Sequence, residues 1–208
     1  MANSYADTIV VLDFETTGLS PQQGDRAIEI GAVKLKDGVV IDSFQELMNP
    51  GKPVNSFIES YTGITNSMLS TARSNAEVMR DFKEFIGDNH MLAHNASFDK
   101  KFLDAEFARL NISYQGDVLC SLLTSRRLYQ MAPNHRLGTL VEYKKLSGAG
   151  DFHRALFDAE MTAKLWLAML EDITAMYNFA PIPMKVMKDL AKVTKRNVNM
   201  FLREFREN

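Results

Sequence analysis

Four acids and one histidine, carried by three distant segments, restrict this chain more than any other feature of it. They stand in Asp13-Phe14-Glu15-Thr16-Thr17-Gly18, in Asn95-x-x-Phe98-Asp99 and in His153-x-x-x-x-Asp158. A fold that gathered the four carboxylates would set them against one another at neutral pH. Hard divalent cations relieve that repulsion, because they take carboxylate oxygens as ligands. Four acids and an imidazole in one place therefore point to two-metal phosphodiester hydrolysis. Any admissible fold has to bring the three segments together.

The flanking sequence places each cluster on an element. Thr8 to Phe14 is rich in β-branched residues and reads as a buried strand ending in acids. On a strand Asp13 and Glu15 point the same way, with Cα atoms roughly 6–7 Å apart, and Phe14 faces the core. Ala27 to Leu35 reads as a second strand, Lys36-Asp37-Gly38-Val39 as a tight hairpin, and Val39 to Met48 as an antiparallel third. Asn49-Pro50-Gly51-Lys52-Pro53 opens a stretch expected to be loop-rich through Thr65.

A helix follows, with Ser74 and Glu77 at capping-box spacing and Gly87 able to end it. Met91-Leu92-Ala93 is a short strand, and helical spacing resumes from Ser97. Further helices are expected over Ser121 to Tyr129 and Leu137 to Leu146. The strongest begins near Ala155, with Leu156, Ala159, Ala163, Trp166, Leu170 and Ile173 on one face. Hairpin strands leading into alternating strands and helices predict an α/β fold, a mixed sheet flanked by helices.

Taken singly, each cluster has an ordinary explanation. An Asp-x-Glu pair can simply end a strand in water. Asp99 sits in a helix's first turn, where the dipole favours an acid. Asn95 can be a turn former, and His153 a structural group before a helix. Thr16 and Thr17 offer hydroxyl donors, and Gly18 allows a ligand to approach closely. Leu19 would stand exposed on that turn, either as an ordinary surface leucine or as a wedge against a base. Phe98 and Phe157 fit the core, whereas Phe152 and Tyr61 are placed to stack on bases.

Jointly, the clusters look like the three motifs of the DEDDh exonuclease family, which includes proofreading subunits of bacterial DNA polymerase III and ribonuclease T. The likeness covers Thr8 to Glu171. A histidine with four intervening residues before Asp158 is similar to the h subtype. Tyr61-Thr62-Gly63-Ile64-Thr65 resembles a family loop near the terminal nucleotide, where the proofreading subunit has histidine at the position of Thr62.

The resemblance implies a ribonuclease-H-like sheet and a 3′→5′ exonuclease releasing nucleoside 5′-monophosphates. Asp13, Glu15, Asp99 and Asp158 would hold two Mg²⁺ or Mn²⁺ ions, and His153 would be the general base, since an imidazole titrates near 6.5. Thr16, Thr17, Gly18, Leu19, Thr62, Asn95 and Phe152 would hold the end of a single strand. DNA is the favoured substrate, with an RNA 3′-end trimmer as the alternative and a silent nucleic-acid-binding domain as a third reading. A DNA polymerase subunit is a further possible partner.

Composition sets outer limits. The one cysteine, Cys120, excludes an internal disulfide and fits a reducing compartment. With neither a signal peptide nor a membrane-length apolar run, the expected location is the cytoplasm. Residues 1–180 read as the exonuclease domain and 181–208 as a basic amphipathic extension. That extension holds seven basic and three acidic residues, so it is +4 and the rest of the chain −6. Its apolar stripe would dock on the domain, its basic face attract a nucleic-acid backbone, or its helix bind a partner.

Overall fold

The computed structural model describes residues 5–148 and 153–207, so the stacking role expected of Phe152 lies outside the described residues. Three long strands open the chain: β1 (Ile9–Thr16), β2 (Ala27–Lys36) and β3 (Val39–Asn49). β1 and β2 pair antiparallel, with Asp13 opposite Gly31 and Glu15 opposite Glu29. Asp37 and Gly38 both take positive φ, 51° and 75°, which is the backbone that a two-residue hairpin demands.

The short strands β4 (Arg73–Ser74), β5 (Met91–Ala93) and β6 (Val118–Cys120) complete the sheet. The order is β4-β3-β2-β1-β5-β6, with β5 parallel to β1 and β6 parallel to β5. This is the expected mixed, ribonuclease-H-like sheet.

Alternation along β1 divides the core. Val10, Leu12 and Phe14 face helices α3 (Asn75–Ile86) and α4 (Ser97–Arg109) through Val78, Phe82, Phe102 and Phe107. Ile9 and Val11 face the opposite layer, built on the long helix α7 (Ala155–Tyr177) with Trp166, Met169 and Ile173. Asp13 and Glu15 continue the odd-numbered series, so they emerge on the side of α7. The capping box at Ser74 is formed, and Gly87 closes α3.

Gly31 brings α7 close. A Cβ there would lie 2.0 Å from the backbone nitrogen of Leu156, so only glycine lets the first turn of α7 rest on β2. That contact carries His153 and Asp158 toward the end of β1.

Three expectations need correction. The stretch expected to be loop contains α1 (Ser56–Thr62) and α2 (Asn66–Ser70). Asn55 and Thr65 cap them by accepting from Ile58 and Met68 amides, so local capping replaces the apolar stripe that would have betrayed them. Strands β4 and β6 were not expected; at two and three residues they are too short to show a period.

The tail forms two helices, α8 (Met184–Leu190) and α9 (Val198–Glu207), instead of one segment. Their Met187, Leu190, Val198 and Leu202 are buried in the α7 layer, so the apolar stripe docks. Between α4 and α7 run α5 (Ser121–Leu128) and α6 (Leu137–Tyr143). No helix among the described residues is long and apolar enough to cross a membrane.

Candidate active site

Asp13, Glu15, Asp99, His153 and Asp158 line one cleft of about 660 Å³ at the end of β1. Ligand atoms of Glu15, His153 and Asp158 lie within 4.8 Å of one another, a group able to hold a metal ion. Asp99 is buried, and its Oδ1 accepts from the Phe14 amide at 3.1 Å, which ties the first turn of α4 to β1. Asp158 Oδ2 accepts from the His153 amide at 3.1 Å. His153 itself stands at φ 71°, a left-handed conformation uncommon for a residue with a Cβ, and its side chain is half-buried in the group.

The cleft is electrostatically loaded. Burial raises Asp13 well above the ordinary carboxylate range, and Asp99, Glu15 and Asp158 push it further. Glu15 is pushed up to about 8, first by burial and then by Asp158, Glu29 and Asp99. Burial also raises Asp99 and Asp158, against hydrogen bonds from the Phe14 and His153 amides respectively. Among the described residues, Oδ1 of Asp158 is buried without a hydrogen-bond partner. An orphaned carboxylate oxygen inside a group of mutually repelling acids is what a hard divalent cation would satisfy, so the donor set fits such an ion.

Two supporting residues escaped the sequence reading. Glu29 is fully buried beneath the acids and accepts from Arg154 Nη2 at 2.8 Å, from the Ala155 amide at 3.1 Å and from Gln45 Nε2 at 2.9 Å. It thus caps α7 with a carboxylate, favourable to the helix dipole, and locks the residue beside His153. The available signal was a lone acid in the apolar run Ala27-Ile28-Glu29-Ile30. Lys101, the second, donates from Nζ to the carbonyl of Leu19 and so fixes the turn after the Asp-x-Glu pair.

Thr16, Thr17, Gly18, Leu19, Thr62 and Asn95 all line the cleft. Their polar groups are largely engaged locally. Thr16 Oγ1 donates to the Gly18 carbonyl at 2.7 Å, and Thr17 Oγ1 donates to Asp25 Oδ1 at 3.0 Å. Thr62 is buried, donating to the Ile58 carbonyl. Asn95, at φ 70°, is the turn former before α4.

Gly18 admits a neighbour of its own chain: a Cβ would stand 2.5 Å from Asp25 Oδ2. Apolar side chains ring the opening. Leu19 is 76% exposed, Phe57 70% and Tyr61 51%, and the last two stack at 5.8 Å on successive turns of α1. Phe157 is buried with Val141 and Met161, as expected of a core residue, whereas Phe98 is partly buried, packing on Phe102 while it lines the cleft.

Residues 10–166 match the RNase_T exonuclease family model, which makes the chain a nuclease by class. The chain belongs to that exonuclease family. It is 44% identical over 168 residues to a DNA polymerase III PolC-type protein of Bacillus subtilis, covering 80% of this chain but 12% of the relative. The chain therefore spans a small part of the length of such polymerases.

Among solved structures it resembles Exonuclease X in complex with 5′ overhanging duplex DNA, with a TM-score of 0.69 and 24% identity. That likeness covers 88% of this chain and 99% of the other. The nuclease domain of 3′hExo, a DEDDh family member bound to rAMP, gives 0.68 and 24%, over 82% of this chain and 95% of that domain. At this identity the two structures speak for the fold.

Proposed function

We propose that the chain is a metal-dependent 3′→5′ exonuclease that removes nucleoside 5′-monophosphates from single-stranded DNA ends. The observation that carries the reading is the convergence of Asp13, Glu15, Asp99, Asp158 and His153 in one cleft. The four carboxylates would hold two divalent cations, Mg²⁺ or Mn²⁺, as an all-oxygen set favours. When bound, such ions supply Lewis-acid charge that offsets the phosphoryl oxygens and acidifies the attacking water. His153 takes the proton from that water at an imidazole nitrogen, its loop held by the bond to Asp158.

Leu19 and the Phe57–Tyr61 pair, which all line the cleft, grip the last base, each aromatic contact being worth about 1–3 kcal/mol in single-strand binders. The DNA reading is supported by a polymerase relative. Proofreading beside a polymerase subunit follows from the same relative, as a proposal for this chain.

The test of substrate class is hydrolysis of matched single-stranded DNA and RNA oligomers with Mg²⁺, with Mn²⁺ and with EDTA. Metal-dependent cleavage with DNA preferred is the expected result. A preference for RNA would make the chain a 3′-end trimmer of RNA, and an inert protein would leave a binding domain.

A further inference from the structure

A second groove, of about 1230 Å³, opens directly off the cleft and shares Tyr61, His94, Asn95, His153 and Asp158 with it. The last turn of α5 and the loop into α6 bring Arg126 and Arg136 to its lining. Both arginines are exposed, and neither has an ion-pair partner among the described residues. Arg26 and Arg154, by contrast, are committed to the buried carboxylates of Glu106 and Glu29. Beyond the catalytic acids the groove also holds one exposed carboxylate, Glu142.

The loop that carries Arg136 is fastened. The Arg136 amide donates to Asn134 Oδ1 at 2.9 Å, and His135 Nε2 meets the Tyr129 carbonyl at 3.1 Å. His94 Nε2 lies 2.9 Å from the His135 carbonyl, and its Nδ1 lies 2.9 Å from Ser121 Oγ. A carbonyl oxygen only accepts, so Nε2 carries the proton and Nδ1 accepts from Ser121 when the ring is neutral. Burial favours that neutral form. A pinned backbone that leaves two guanidinium groups unpaired is preorganised for anions.

We infer that Arg126 and Arg136 form a phosphate track, engaging the phosphodiester groups of the DNA strand that trails behind the scissile bond. The inference rests on the exonuclease reading. Release of a 5′-mononucleotide keeps the scissile phosphate with the terminal nucleotide, so the leaving 3′-oxygen belongs to the strand that must exit the cleft. With the terminal base gripped by Leu19 and α1, the groove past Asn95 and His153 is the charged path away from them.

The test compares two substrates in the parent chain and in an Arg126→Gln/Arg136→Gln variant. One is a single-stranded DNA oligomer; the other is the p-nitrophenyl ester of thymidine 5′-monophosphate, which has a scissile phosphodiester but no trailing phosphate. The variant should raise KM for the oligomer about tenfold and flatten its salt dependence by about 1.4, at about 0.7 per phosphate contact on single strands. Ester hydrolysis should stay within about twofold, and Arg126→Lys/Arg136→Lys should recover most of the oligomer KM and the salt slope.

A variant with unchanged oligomer KM and salt slope overturns the track. So does one that loses ester and oligomer turnover in equal measure. A parent chain that cleaves neither substrate overturns the exonuclease reading itself.

Discussion

The ring of Tyr61 lies 4.1 Å from the ring of His153, tilted by 39°. The contact joins α1, which was not expected, to the proposed base on its left-handed loop residue. A half-buried imidazole on such a backbone gains a defined direction from a ring packed against it. Tyr61→Phe keeps the ring and should leave kcat within about twofold. Tyr61→Ala should lower it about tenfold, the cost of roughly 1.4 kcal/mol of lost orientation. Steady-state kinetics on a DNA oligomer checks both; equal activity in all three chains would detach Tyr61 from the base.

His153 belongs by position to the metal-holding group, yet the mechanism uses it as a base. His153→Gln should therefore lose about 10²–10⁴ in kcat while Mn²⁺ affinity, measured by calorimetry, changes little. A variant whose Mn²⁺ binding collapses along with turnover would make His153 a ligand.

The loaded acids link stability, pH and metal. Glu15 is raised from 4.5 to about 8, so between those values the folded metal-free chain holds a proton that the unfolded chain has released. Its contribution to stability is full at the acidic end and is lost as pH rises through about 8. Without metal the protein should melt several degrees lower at about pH 8.5 than at about pH 6. Added Mg²⁺ should raise Tm more at the higher pH, where the carboxylates are free to bind it. Thermal denaturation in EDTA and in Mg²⁺ measures this, and a metal-free Tm that climbs over the same interval would contradict it.

Glu29 has no place in the chemistry, but it holds the start of α7. Glu29→Ala strands the Arg154 guanidinium and the Ala155 amide next to a buried space. Arg154 is about a third exposed and keeps its hydration, so the cost is chiefly the stranded Ala155 amide, and urea denaturation should show a loss of about 1–3 kcal/mol. A loss under about 1 kcal/mol would mean that water replaces the carboxylate without penalty.

Much of this was open to reading because the decisive features are local. A β-branched run before Asp13, a Ser74–Glu77 capping box and the long stripe of α7 each declare themselves within one element. The site acids were found because their spacing matches a family pattern.

What stayed hidden depends on distant partners. Glu29 looks like any acid on a strand until Arg154, far along the chain, closes on it. α1 buries only Thr62 of its seven residues, so nothing in its pattern announces a helix. Gly18 also has Asp25 as a tight neighbour, a relation that needs the turn to be seen.

The most direct measurement follows a 5′-labelled single-stranded DNA oligomer with Mg²⁺ over time, beside an Asp13→Asn variant. The account predicts a ladder shortening one nucleotide at a time from the 3′ end, release of 5′-mononucleotides, and no ladder with EDTA or with the variant. Intact oligomer in Mg²⁺ and Mn²⁺, early loss of the 5′ label, or a variant as active as its parent would contradict it.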